Sequence, residues 1–243
     1  MRSLDLADAL RARIAAGGVG PAGALPSEAE LARAYDASRV TVRRALDLLR
    51  REGLVTSRRG AGWFVALDPV RQPLGRVTTV EAAVEGAGAV ASRRVLAFEF
   101  VRASREVAGA LEIALDADVL RVERVNLADG EPFALVTVWV RGEYATELSR
   151  GDVERAPFYD ILPLQGVELA TVHQTITAEV ADTRAAGRLD VEPGAPLLVG
   201  KRTTRDAEGV AVLYSEHRYP AVRTQFEIDF ALNVTNAGVL QHG

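Results

Sequence analysis

Between residues 3 and 16 the apolar positions Leu4, Leu6, Ala9, Leu10 and Ile14 recur at helical spacing. They predict a helix that Gly17, Gly18 and Gly20-Pro21 bring to an end. A second helix is expected from about residue 28 to 35, burying Leu31 and Tyr35, because Ser27 and Glu30 have the spacing of a capping box. Asp36-Ala37 is a short break. Ser38 can cap a third helix running to about residue 51, in which Val42, Ala45, Leu46 and Leu49 fall at i, i+3, i+4 and i+7. Gly53 stops it. Residues 54–57 and 63–65 then read as two short strands around the basic, glycine-rich tip Arg58-Arg59-Gly60-Ala61-Gly62. Helix, short turn, helix and basic hairpin make a winged helix-turn-helix over residues 1–68.

Residues 69–80 lose this periodicity, and Pro69, Pro73 and Gly75 mark them as a linker and tether. Beyond it the pattern repeats. Leu111, Ala117, Leu120 and Arg124 recur as Leu189, Ala195, Leu198 and Arg202, all at an offset of 78. Each copy reads helix, strand, tight turn, strand: a stripe of Val107, Ala110, Leu111 and Ala114, then 120–127, Asp129-Gly130 and 133–140; later 183–189, 197–204, a turn at 207–209 and 210–219. With 167–180 as a further long strand, about six strands are available. The fold class expected over 81–231 is α+β, an antiparallel sheet with pseudo-two-fold symmetry and helices on one side. Residues 232–243 read as a loose tail containing His242.

Charge separates the two parts. Residues 1–68 hold 11 Arg against 8 acids, and the remainder 18 basic against 25 acidic residues. Seven arginines lie within 39–59, facing only Asp47 and Glu52. A basic front and an acidic back suggest that only the front meets a polyanion. There is no cysteine, and His173, His217 and His242 are the only histidines, so thiol chemistry is excluded and no metal or cofactor is expected. No apolar run is long enough to span a membrane. Asp5 and Asp8 interrupt the N-terminal apolar pattern, which argues against a secretory signal and for a cytoplasmic protein.

The physics of the front module fits double-stranded DNA. A helix fits the major groove, and residues at its N-terminal end reach base edges. Ser38, Arg39, Val40 and Thr41 occupy that end, with Arg43 one turn on from Arg39. For Arg50 and Arg51 the alternative is a solvated face with an i,i+4 pair, Asp47–Arg51. Leu25-Pro26-Ser27-Glu28, Glu30-Leu31-Ala32, the run from Ser38 to Leu46, Glu52-Gly53-Leu54 and Gly60-Ala61-Gly62-Trp63-Phe64-Val65 together resemble the head of the GntR family of bacterial transcription regulators. The resemblance implies that Ser38, Arg39, Thr41, Arg43 and the wing pair Arg59-Gly60 contact DNA.

In the back module, strand alternation places Leu120, Val122, Arg124 and Asn126 on one face, passing from apolar to polar. Arg202 is the repeat partner of Arg124. With His173, Tyr214 and Glu216 these residues are candidates to line a cavity for a small, anionic effector, because a guanidinium suits a carboxylate or phosphonate. Glu216 neutralising an arginine internally is the alternative, as is a packing role for His173; His217 and Arg218 are expected to face solvent. The run Arg124–Pro132, residues 189–202 and Tyr214-Ser215-Glu216 through Arg223 resemble the UTRA effector-binding domain of the HutC-like branch of that family, which implies a chorismate-lyase-like fold. Asn126 stands where members sensing amino-sugar phosphates carry a second arginine, and Ala156-Pro157 where they carry a serine, which argues against a phosphosugar. The function expected is a ligand-responsive regulator, a repressor binding an inverted-repeat operator as a homodimer. The rivals are an enzyme of chorismate-lyase type, against which stands the lack of a nucleophile–base pair, and a constitutive DNA-binding protein.

Overall fold

Leu6, Ala7 and Leu10 of helix α1 (Ser3–Ala15) are fully buried against the stripe Val42, Ala45, Leu46 and Leu49 of α3 (Arg39–Arg51). This pair is the core of the N-terminal body in a computed structural model that describes residues 2–20, 23–58, 62–66 and 69–230. Helix α2 (Glu28–Ala34) adds Leu31. Its capping box forms as expected: Glu30 N donates to Ser27 Oγ at 3.3 Å and Ser27 N to a Glu30 carboxylate oxygen at 2.8 Å. Asp36, at φ 45°, makes the sharp turn into α3. Strands β1 (Val55–Arg58) and β2 (Gly62–Val65) pair antiparallel, with Trp63 and Val55 closing the core. The wing tip, with Arg59 and Gly60, lies outside the described residues, as does His242.

The expectation of a free linker over 69–80 is corrected. Strand β3 (Val70–Pro73) lies within it and pairs parallel with β10 (Thr224–Glu227), burying Val70 and Gln72. Four alternating residues are too short a period to stand out in a sequence, and their partner lies some 150 residues away.

The rest is one six-stranded antiparallel sheet ordered β4 (Ala91–Arg102), β5 (Asp118–Ala128), β6 (Glu131–Arg141), β9 (Ala211–Pro220), β8 (Pro196–Asp206) and β7 (Leu169–Val180). The repeat is visible in that order. The unit β4, α5 (Arg105–Leu111), β5 returns as β7, α9 (Thr183–Leu189), β8 with every boundary displaced by 78 residues. Both helices end on a left-handed residue, Glu112 at φ 54° and Asp190 at φ 51°.

Helices cover both faces of the sheet rather than one. Helices α5 and α9 pack on one face, at Val119 and Tyr214 and at Val125, Leu135 and Val199. Helices α4 (Val80–Gly86), α6 (Gly142–Ala145), α7 (Arg150–Arg155) and α8 (Phe158–Leu164) cover the other, over Leu120, Val122, Val136, Val138 and Val140. The main core lies on that second face.

The two bodies touch at Gly53. It has φ +74°, and a Cβ there would lie 2.7 Å from Val222 Cβ in the turn between β9 and β10. Gly53→Ala is therefore expected to cost about 1–3 kcal/mol, since both the left-handed backbone and the contact oppose it. The thermal midpoint should fall by several degrees, and adding Val222→Gly, which removes the Cβ in contact, should restore only the steric part. An unchanged midpoint in the single variant would contradict the contact.

Candidate functional site

At the start of α3, Ser38 Oγ accepts from Thr41 N at 3.1 Å and lies 2.8 Å from Thr41 Oγ1, so both hydroxyls hold the helix end in shape. Arg39 and Val40 project from that end, Val40 with 62% of its surface exposed. Arg39 forms no hydrogen bond or ion pair among the described residues and feels Glu28 only at longer range. Arg43 is different. Its Nε and Nη2 donate to the two Glu28 carboxylate oxygens at 3.2 and 3.0 Å, and Trp63 Nε1 donates to the same carboxylate at 3.2 Å. The Arg43 guanidinium holds the Glu28 carboxyl below its usual range. Glu28 thus ties α2, α3 and the wing strand together, and Arg43 carries that tie on an exposed surface. No acid lies a helical turn from both arginines in sequence; this one comes from the preceding helix. Arg44, exposed and likewise without a hydrogen bond or ion pair among the described residues, extends the basic face, although its spacing does not single it out. Arg50 bonds Glu192 at 2.6 Å and Arg51 Nε donates to the Asp47 carbonyl at 3.2 Å, so the side-chain pair expected between Asp47 and Arg51 is replaced.

The sheet divides the six candidate effector residues. Directly opposed residues share a face, and the register sets Arg202 against Ser215 and Gln174, Arg124 against Val136, and Asn126 against Arg93 and Ala134. Arg124, Asn126 and Arg202 therefore lie together under α4 and α8. Tyr214 opposes Thr203 and Trp139, Glu216 opposes Lys201 and Thr137, and His173 opposes Thr203, which puts these three on the reverse face. The expectation of one cavity lined by all six is corrected: strand parity is readable from sequence, but the register between strands is not. On the reverse face the polar groups satisfy one another. Tyr214 Oη lies 3.1 Å from carboxylate oxygens of both Glu106 and Glu216, and burial beside them pushes its pKa up. Glu216 pairs with Arg218 at 2.8 Å and Lys201 at 3.4 Å. His173 is exposed.

Under α4 and α8 the situation is opposite. Arg124 is 4% exposed, and its Nε and Nη1 find no partner among the described residues. Its guanidinium carbon sits 5.9 Å from the Phe158 ring centroid, and burial pushes its pKa down to about 10. Arg202, equally buried, donates to the Gln174 side-chain oxygen and, at 3.2 Å, to the Thr78 carbonyl. His217, expected in solvent, is instead buried, its Nε2 3.0 Å from Ser215 Oγ and its Nδ1 3.3 Å from Tyr219 Oη. Burial and the nearby Arg202 and Arg124 charges hold its pKa well below the ordinary value, so it is neutral. Arg218, also expected in solvent, is drawn in by Glu179 and Glu216. A void of about 20 Å³ runs between Arg124, Tyr159, Arg202, Ser215 and His217.

Beside this void Asn126 donates to Glu81 of α4, which pairs with Arg93 at 3.0 Å. Glu81 Oε2, Arg93 Nη1, Asn126 Oδ1 and Thr78 Oγ1 are buried without a partner among the described residues. Glu81, Arg93 and Thr78 also line an outer cleft of about 840 Å³ rimmed by Arg155 and Asp160. Sequence patterning misses Glu81 and Arg93, since neither α4 nor β4 stands out as an element, and it misses His217 because a histidine between polar neighbours reads as exposed.

Residues 2–65 match the family model for bacterial regulatory proteins of the gntR family, and residues 86–225 the model for the UTRA domain. The chain is 28% identical over 222 residues to the HTH-type transcriptional repressor NagR of Bacillus subtilis, covering 91% of each. It is 31% identical over 201 residues to the HTH-type transcriptional repressor PhnF of Mycolicibacterium smegmatis, covering 83% of this chain and 82% of that one. The crystal structure of PhnF superposes with a TM-score of 0.61 at 28% identity, over 85% of this chain and 91% of that one. With a DNA-binding head and an effector-binding UTRA domain each matched by its own model, the chain belongs to the GntR family of transcriptional regulators.

Proposed function

We propose that this regulator is a repressor that reads an inverted-repeat operator as a homodimer. Ser38, Arg39, Val40, Thr41 and Arg43 at the start of α3, with Arg59 and Gly60 at the wing tip, are the reading residues. A small anionic metabolite bound at Arg124, Asn126 and Arg202 changes its DNA affinity. The names of NagR and PhnF support repression. The observation that carries the sensing half is the orphaned, buried Arg124: an unpaired buried charge is costly, and an arriving anion removes that cost. Exposed Arg39 and Val40 support the reading half. A two-fold dimer doubles the few base pairs that one helix reads. The ligand acts by binding the DNA-competent and incompetent forms with different affinity.

Arg39→Ala should weaken binding to DNA from upstream of the regulated gene. A base contact there would be worth about 1–3 kcal/mol, whereas a phosphate contact would lower the salt slope by about one. Fluorescence anisotropy across a salt series separates the two, and wild-type affinity at every salt concentration would sink the assignment of α3.

The sheet domain should carry the dimer contact. Cleavage engineered between residues 66 and 69, upstream of β3, is expected to release a monomeric head and a dimeric remainder. Sedimentation equilibrium showing a monomeric remainder would overturn this.

Stability should depend on pH through His217. Its folded pKa is depressed, so below the unfolded value of about 6.5 the unfolded chain binds the extra proton. Stability is then full above that pH and falls as the pH drops through it. A thermal midpoint that declines from pH 7 to 5 in the wild type, and less steeply in His217→Gln, is the expected result.

A further inference from the structure

The buried cluster under α4 has an inventory of unmet groups, and the inventory has a shape. Three guanidiniums, Arg93, Arg124 and Arg202, meet one carboxylate, Glu81, and His217 adds no charge. The other acids near it, Glu85, Glu154 and Asp160, sit on the exposed rim of the outer cleft, where Arg76 and Arg155 accompany them and water screens them. Two positive charges are therefore left over in a buried site. Among the described residues, Arg124 Nε and Nη1 and Arg93 Nη1 are donors without acceptors. Glu81 Oε2 and Asn126 Oδ1 are acceptors without donors, and they stand together because Asn126 donates to Glu81. Water could satisfy single hydrogen bonds here, but it cannot neutralise two charges.

Resting on the reading of this cluster as the effector site, we infer that it binds a dianion carrying a hydroxyl or ammonium group, with Arg124 and Arg202 taking the anionic end and Glu81 with Asn126 accepting from the donor. Arg93 holds Glu81 in place from the adjoining strand and offers its free Nη1 to the ligand. A phosphoryl group and a dicarboxylate both meet this description. Thr79 and Pro157 line both the void at Arg124 and the wide cleft at Glu81, so the anionic end is the deeper one; the void holds about one water, and α4 or α8 must give way to admit it.

The test uses the full-length protein and calorimetry with six compounds: glycerol 3-phosphate and ethyl phosphate, malate and succinate, and lactate and glycerol. Within at least one dianion pair, the hydroxylated member should bind about tenfold more tightly than its partner, as a hydrogen bond to a charged group allows. Lactate, with one charge, and glycerol, with none, should bind far more weakly. The arm that binds says whether the anion is phosphoryl or dicarboxylate. Glu81→Gln should abolish the preference for the hydroxyl while ethyl phosphate or succinate still binds. Arg124→Met should remove binding and raise the thermal midpoint of the free protein, because a buried unpaired charge is replaced by an apolar chain; a merely structural arginine would lower it. The six-compound comparison needs no variant, so it decides the matter even where either variant misfolds. Absence of binding by every dianion at millimolar concentration overturns the inference, as does lactate binding as tightly as the best dianion. A dianion that binds without changing DNA affinity supports the site and overturns its role as the effector site. A neutral compound that releases DNA while no dianion binds overturns the inference and leaves the effector reading standing.

Discussion

The pairing of β6 with β9 decides what every other strand presents. These two strands meet at the centre of the sheet, Val136 opposite His217 and Val138 opposite Ser215, and each strand outward inherits its parity from them. Because side chains alternate, a slip of one residue would invert one half of the sheet, either turning Arg124 toward α5 and α9 with Glu123 under α4, or setting Glu216 under α4. Apolar content fixes the choice. Leu120, Val122, Val136, Val138, Val140 and Leu213 must all face α4, α6 and α8 to close the main core, and Arg124, Arg202 and His217 are carried to that side with them. The cluster is buried because its apolar neighbours on the same strands are.

Burial of this kind works against folding. A guanidinium in a low-dielectric site with two free donors lowers the stability of the free protein, and its depressed pKa reports the same cost. The reverse face offers a control within the same sheet. Glu216 sits as deep as Arg202 but has Arg218 and Lys201 beside it. One face has settled its charges internally and the other has not. That difference, more than burial alone, separates a structural network from the cluster proposed as the effector site.

How far the sequence could be read follows from the range of the interactions concerned. The three head helices, their caps and the Asp36 turn rest on contacts within a few residues, and they appear where periodicity and capping chemistry put them. The repeat at an offset of 78 marks the symmetric unit and the partnership of Arg124 with Arg202. What escapes depends on distant partners. Strand β3 exists only through β10, and Arg43 finds Glu28 only because α2 and α3 cross. Alternation alone groups His173, Tyr214 and Glu216 with the arginines, because each strand's alternation is local, while the register joining strands is set by the whole core.

The route between the two bodies is short. Strand β9 carries Ser215 and His217 in the cluster, runs through buried Tyr219 to Pro220, and reaches Val222 against Gly53 at the end of α3. Arg223 next to it is locked by donating to the carbonyls of Pro132 and Leu189, and Glu192 in the loop after α9 holds Arg50. Five residues, the end of β9 and the turn after it, therefore separate His217 in the cluster from Val222 beside the helix that would lie in a DNA groove. A rigid strand with packed ends transmits a displacement rather than absorbing it, since close-packed interiors are not continuously deformable. On the reading proposed above, a ligand moves α3 only if it binds more tightly when the contact of Val222 with Gly53 is displaced, and the orphaned donors of Arg124 are where that difference in affinity would arise.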